Sequence, residues 1–171
     1  MTRFTKTVVF LLAFACLWAA APDLSAGVLM VPASAFDVRD PGTKNGWYRD
    51  YRIYVMSFNA EMASAEYFDA AVNLPQGVSP KKITLYCYDN GSGIADYITL
   101  WFYRYKPSTD TVEMLGSVGT TGASASTAHQ VLPVLITKKA VDNKNYSYYL
   151  EVKFPYNCSW QVEFRGAKIE W

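Results

Sequence analysis

The chain has 171 residues, 51% of them hydrophobic and 16% aromatic, with 16 basic and 15 acidic side chains and one histidine. No basic run exceeds Lys81-Lys82 or Lys138-Lys139, so the positive field that nucleic-acid binding requires is missing. The lone His129 sits in no Gly-x-Ser-x-Gly or other hydrolase signature and matches no metal-ligand spacing.

At the N-terminus, residues 1–6 carry Arg3 and Lys6 without an acid, residues 7–22 carry no charge, and Val8 to Ala15 is strongly apolar. Small residues follow at Ala19 to Ala21, then Pro22, Asp23 and Leu24-Ser25-Ala26-Gly27. This order is that of a secretory signal peptide cleaved after Ala26. The apolar stretch of about 15 residues falls short of the ~20 that span a bilayer, so no membrane span is expected once it is removed. The expected organisation is residues 1–26 as signal peptide and residues 27–171 as one domain, secreted or periplasmic/extracellular. Ala13-Phe14-Ala15-Cys16 is loosely like a lipobox, and lipid anchoring at Cys16 is the alternative. Phe14 is bulky where a small residue is usual.

Arg3, Lys6 and Asp23 leave with the leader, and the mature chain is formally neutral. Its two cysteines, Cys87 and Cys158, read in an oxidising compartment as one disulfide closing a loop of about 70 residues, worth roughly 4 kcal/mol. Two buried free thiols are the competing reading.

The mature region is rich in Tyr, Val, Ile, Thr, Phe and Trp, which suit a pleated surface. Strands are expected over residues 28–35, 47–58, 67–73, 82–88, 97–105, 112–118, 128–136, 146–154, 159–164 and 167–171, with a weak helical turn over 60–67. Alternation sets their faces. Ile98, Leu100 and Phe102 oppose Thr99, Trp101 and Tyr103; Tyr148, Leu150, Val152 and Phe154 oppose Tyr149, Glu151 and Lys153; Trp160, Val162 and Phe164 oppose Gln161, Glu163 and Arg165. Turn residues cluster at 73–77, 89–93, 106–110 and 142–145. The small, polar stretch 117–128 reads as a loop. The pattern predicts an all-β fold, an antiparallel β-sandwich or jelly roll of about eight to ten strands.

Three stretches carry a resemblance: Ala71-Val72-Asn73-Leu74-Pro75-Gln76-Gly77, then Ile83 through Asn90, then Leu100 through Tyr105. Together they resemble a module of uncharacterised secreted bacterial proteins with a V-x-L-P-x-G … Y-x-Y-D-N … Y-R pattern. Asp142-Asn143 with Tyr146 through Leu150, and the closing Ile169-Glu170-Trp171, extend it over most of residues 30–171. The resemblance implies an exported bacterial β-sandwich and carries no known activity.

Three kinds of site are weighed. Glycoside hydrolysis needs two carboxylates flanking a cleft. Asp37, Asp40, Asp50, Glu61, Glu66, Asp69, Glu151 and Glu163 are candidates, but no pattern pairs them and no catalytic residue is assigned. The run Asp89-Asn90-Gly91-Ser92-Gly93-Ile94-Ala95-Asp96 supplies oxygen ligands of the kind calcium takes, with Asp89 and Asp96 as the acids. A strand-connecting turn has the same composition and is preferred, so no cofactor is expected. Aromatics are the most suggestive feature. If the strands carrying Tyr86 and Tyr88 and those carrying Trp101 and Tyr103 are neighbours, the four rings form one surface, about 10 Å across, on which sugars could stack. The same rings could instead be cross-strand pairs stabilising the sheet.

The expected function is an exported, non-catalytic binding module for a polysaccharide or cell-surface partner. The alternative is a structural or adhesive module whose aromatic face makes protein or homo-oligomer contacts, and an unrecognised hydrolase is third. Intact-mass analysis and N-terminal sequencing of the exported protein should find Gly27 first; a protein retaining residues 1–26, or starting at a lipidated Cys16, contradicts the expected cleavage.

Overall fold

Two-residue alternation divides each strand into a wet and a dry side, and two sheets bury their dry sides against each other. The computed structural model of the protein describes residues 26–39, 47–50, 55–58, 66–89, 97–120, 129–154 and 162–171, with 47–50, 55–58, 66 and 129 as backbone. Residues 1–25 of the expected leader, with Cys16, and also Asp96, Cys158 and Trp160 lie outside the described residues. The strands are β1 (Val28–Pro32), β2 (Asp37–Val38), β3 (Trp47–Asp50), β4 (Val55–Phe58), β5 (Glu66–Val72), β6 (Lys82–Asp89), β7 (Thr99–Lys106), β8 (Thr111–Gly119), β9 (His129–Leu135), β10 (Ser147–Phe154) and β11 (Val162–Glu170).

One sheet has the order β3-β4-β11-β6-β9, with β1 also paired to β11; the other has the order β2-β5-β10-β7-β8. All pairings among these strands are antiparallel. The all-β sandwich expected from the sequence is present. Several boundaries differ. The expected strand 28–35 stops at Pro32, where Ala33–Ala35 forms a 3₁₀ turn. Residues 47–50 and 55–58 are two strands paired with each other. The expected strands 159–164 and 167–171 join into β11 through a bulge between Phe164 and Gly166. Glu66 and Tyr67 belong to β5, not to a helical turn.

The core follows the predicted parity. Ile83, Leu85, Leu100, Phe102, Leu150, Val152, Phe154, Phe164 and Ile169 are fully buried, each worth roughly 1.5–3 kcal/mol. Edge-to-face ring pairs tie the layers together: Phe36 with Phe164 at 4.8 Å, and Phe68 with Phe154 at 5.7 Å. On β8 a bulge opposite Phe102 and Tyr103 inserts Leu115, which turns into the core.

Two of the expected turns interlock at one end. Gln76 donates through Nε2 to the Val141 carbonyl at 2.9 Å, and the Asn143 N–H donates to Gln76 Oε1 at 2.8 Å. Asn143 Nδ2 donates to the Leu74 carbonyl at 2.9 Å. Gly166 has φ +144°, and a Cβ there would stand 2.8 Å from the Val31 carbonyl oxygen; β1 approaches β11 so closely at this point that only glycine fits.

The expected disulfide is not seen among the described residues, Cys158 lying outside them. Cys87 is a free thiol, 1% exposed, on the inward side of β6. Burial, and then the charge of Asp89, push its pKa up to about 12. The thiol should therefore resist alkylation in the native protein while an unfolded chain reacts increasingly as pH passes 9. Peptide mapping after alkylation with and without denaturant checks this, and rapid native labelling of Cys87 contradicts the burial.

Candidate functional site

The side chains that the core rejects build the site. In the sheet β2-β5-β10-β7-β8, β10 lies between β5 and β7. Its inward residues Leu150, Val152 and Phe154 are buried, which turns Tyr149, Glu151 and Lys153 to the outside. Register then sets rows across the strands. One row runs Ala71, Tyr149, Tyr103, Met114; the next runs Asp37, Asp69, Glu151, Trp101, Ser117; the third runs Tyr67, Lys153, Thr99, Gly119. Neighbours in a row are about 5 Å apart and rows about 7 Å apart.

Four half-buried rings occupy this grid. Tyr103 and Tyr149 lie nearly parallel, centroids 5.2 Å apart and planes 25° apart. Tyr67 and Trp101 reach toward each other over β10, 6.4 Å apart at the same 25°. Burial raises the pKa of the Tyr103 and Tyr149 phenols, the nearby Asp69 adding to the effect in both, so both keep their hydroxyl protons at neutral pH.

A charged cluster lies among the rings. Arg39 Nε and Nη2 donate to the two oxygens of Asp69 at 3.0 and 3.1 Å, a two-point fork. Arg39 Nη2 also pairs with Glu151, and its Cζ sits 5.4 Å from the Tyr67 ring centroid. Glu151 is only 5% exposed although it is on an outer face. Where the strands end, Ser147 pairs with Tyr105 and lines a cleft of about 370 Å³ with Pro107, Ser108, Asn145 and Tyr146.

The predicted quartet of rings is thereby divided. Trp101 and Tyr103 share this face. Tyr86 and Tyr88 are on β6, in the other sheet, and point out of the opposite side of the sandwich. β6 and β7 follow each other in sequence, and the expectation that they are neighbours fails because the chain crosses between sheets there. The place of Tyr86 and Tyr88 is taken by Tyr67 and Tyr149. The outward position of Tyr149 and Glu151 was readable from alternation, whereas their adjacency to Trp101 depends on topology.

The other candidates separate as well. Asp89 ends β6 facing inward and is fully buried, while Asp96 lies outside the described residues. No cluster of three or more His, Cys, Asp or Glu side chains suited to a metal occurs among the described residues. His129 is described as backbone, opposite Tyr88. Glu163 pairs with Arg165 at 3.0 Å. No helix among the described residues is long and apolar enough to cross a membrane.

The sequence matches no protein-family model and no curated protein. Similarity appears in structure. A xylan-binding module, CBM15, superposes with a TM-score of 0.51 at 10% identity, covering 85% of this chain and 97% of that one. The CBM22-1 and GH10 modules of a Clostridium thermocellum xylanase, complexed with xylohexaose, give 0.49 at 12% identity over 85% of this chain and 28% of that one. A mutant family 29 carbohydrate-binding module gives 0.46 at 8%, over 86% and 87%. At these identities the first of them shows a shared sandwich fold.

Arg39→Ala would leave Glu151 without its guanidinium on a nearly covered site. A loss of about 2 kcal/mol of stability is expected, measured by urea unfolding. An unchanged midpoint would mean that Glu151 is adequately solvated without Arg39.

Proposed function

We propose that this is an exported carbohydrate-binding module whose site is the outer face of the sheet containing β10 and β7. The observation that carries the reading is the grouping of Tyr67, Trp101, Tyr103 and Tyr149 around the Arg39, Asp69 and Glu151 cluster. A pyranose has an apolar C–H face and a rim of hydroxyls. The rings offer flat apolar area for the first, while the carboxylates, the guanidinium and the protonated phenols offer acceptors and donors for the second. The site is mostly apolar with few, well-placed polar groups, as small-ligand sites usually are.

The rings are spread along the strands from Tyr67 toward the cleft beside Ser147, an elongated arrangement that suits a chain of sugars better than a single ring. The shared fold with a xylan-binding module supports the reading at the level of architecture. Export is supported by the charged, apolar and small-residue order of residues 1–26. The partner is accordingly a polysaccharide met outside the cytoplasm.

Titration of residues 27–171 with a panel of soluble polysaccharides, followed by tryptophan fluorescence and calorimetry, tests the proposal. A saturable response is expected, with Trp101→Ala weakening it at least about tenfold, roughly 1.4 kcal/mol. Trp101 points away from the core, so circular dichroism of that variant should be unchanged. If no glycan on the panel binds, or if Trp101→Ala binds as tightly as the parent, this face is not the sugar site.

A further inference from the structure

The opposite side of the sandwich has a pattern that sugar binding does not use. On the outer face of the sheet built on β11 and β6, register gives three rows. They are Val28, Glu170, Lys82, Leu135; then Met30, Lys168, Thr84, Pro133; then Pro32, Gly166, Tyr86, Val131. The flanks are apolar and open: Val28 is 59% exposed, Met30 56%, Val131 61% and Leu135 79%. The middle is charged. Glu170 pairs with Lys82 at 2.8 Å and Lys168 at 3.2 Å, and these two lysines hold its carboxyl below the ordinary range.

We infer that this face is a self-complementary interface and that its occupant is a second copy of the chain, related by a two-fold axis parallel to the strands and midway between β11 and β6. Such an axis reverses the order of each row. Val28 then meets Leu135 of the second copy, and Glu170 meets Lys82. In the next row Met30 meets Pro133, and Lys168 meets Thr84. In the third, Pro32 meets Val131, and Tyr86 lies over Gly166, whose position carries no side chain to oppose it. Apolar groups cover apolar groups along the flanks and Glu170 meets Lys82 twice, once on each side of the axis, while Lys168 comes over the buried Thr84, the self-matching that an isologous contact requires. Sheets also pack face to face in this way inside sandwiches.

Size predicts the strength. Four strands about 5 Å apart and five to nine residues long make a footprint of roughly 20 by 24 Å, or about 500 Å² for each partner. Stable complexes bury nearer 800 Å² on each side. The dimer should therefore be weak and concentration-dependent.

Sedimentation equilibrium on residues 27–171, from micromolar to near-millimolar concentration, is the test. The mass should rise from one copy toward two. Leu135→Asp, on a largely exposed side chain whose replacement leaves the core intact, should weaken association at least about tenfold. Lys82→Glu should weaken it similarly, and adding Glu170→Lys should recover most of the loss. Trp101→Ala should associate like the parent. A monomer throughout overturns the inference, as does association indifferent to Leu135→Asp or abolished by Trp101→Ala. Failure of the double charge swap to recover association overturns the proposed pairing of Glu170 with Lys82.

Discussion

Burial of Leu150, Val152 and Phe154 sets the parity of β10, and the outer face depends on it. A one-residue slip would bring Tyr149, Glu151 and Lys153 into the core and expose the three apolar side chains, so the hydrophobic term permits one register. β10 hydrogen-bonds to β5 on one side and β7 on the other, and the constraint passes to both neighbours. Tyr67 and Asp69 turn outward because Phe68 and Ala70 are buried, and Trp101 and Tyr103 because Leu100 and Phe102 are. The aromatic grid is thus a consequence of core packing, built on strands and not on loops. Its geometry should be as rigid as the core.

Charge completes what packing begins. Asp37, Asp69 and Glu151 stand in one row across three adjacent strands, an arrangement that like-charge repulsion would oppose. Arg39 forks to Asp69 and reaches Glu151, and it also leans on Tyr67. The residue just beyond β2 therefore bridges acids on β5 and β10, offsetting part of their charge, while fixing a ring at the edge of the platform. For an uncharged ligand this matters in a specific way: donors and acceptors stand close together with part of the acidic charge offset by Arg39, so both kinds of hydroxyl contact are within reach.

Much of this is legible in the sequence. The alternation in 98–103 and 148–154 assigned inward and outward residues as they occur, because period two in a half-buried strand reports directly on burial. Turn clusters at 73–77 and 142–145 were placed as well, though not that Gln76 and Asn143 would lock them together. What could not be read was which strands are neighbours. Tyr86 and Tyr88 were grouped with Trp101 and Tyr103 because their strands are consecutive, and consecutive strands often pair. Here the chain changes sheets between β6 and β7, and nothing local in residues 89–97 signals the change. The Cys87–Cys158 bridge is not shown: Cys87 is a free thiol in the packed interior, and Cys158 lies outside the described residues.

The two outer faces differ in kind, and the difference has a consequence for how the molecule would act. One face gathers its rings at the centre around an Arg39-bridged acid cluster; the other puts charge at the centre and apolar side chains at the flanks. If the second face pairs two copies, the aromatic platforms end up on opposite outsides of a four-layer stack, roughly 30 Å apart at the usual sheet spacing of ~10 Å. Two platforms facing away from each other cannot both rest on one straight polymer chain, so dimerisation adds little avidity for an isolated strand. It would instead join separate chains. The molecule would then act as a weak, reversible cross-link whose occupancy rises with local protein concentration, because accumulation on a polysaccharide surface favours the dimer by mass action.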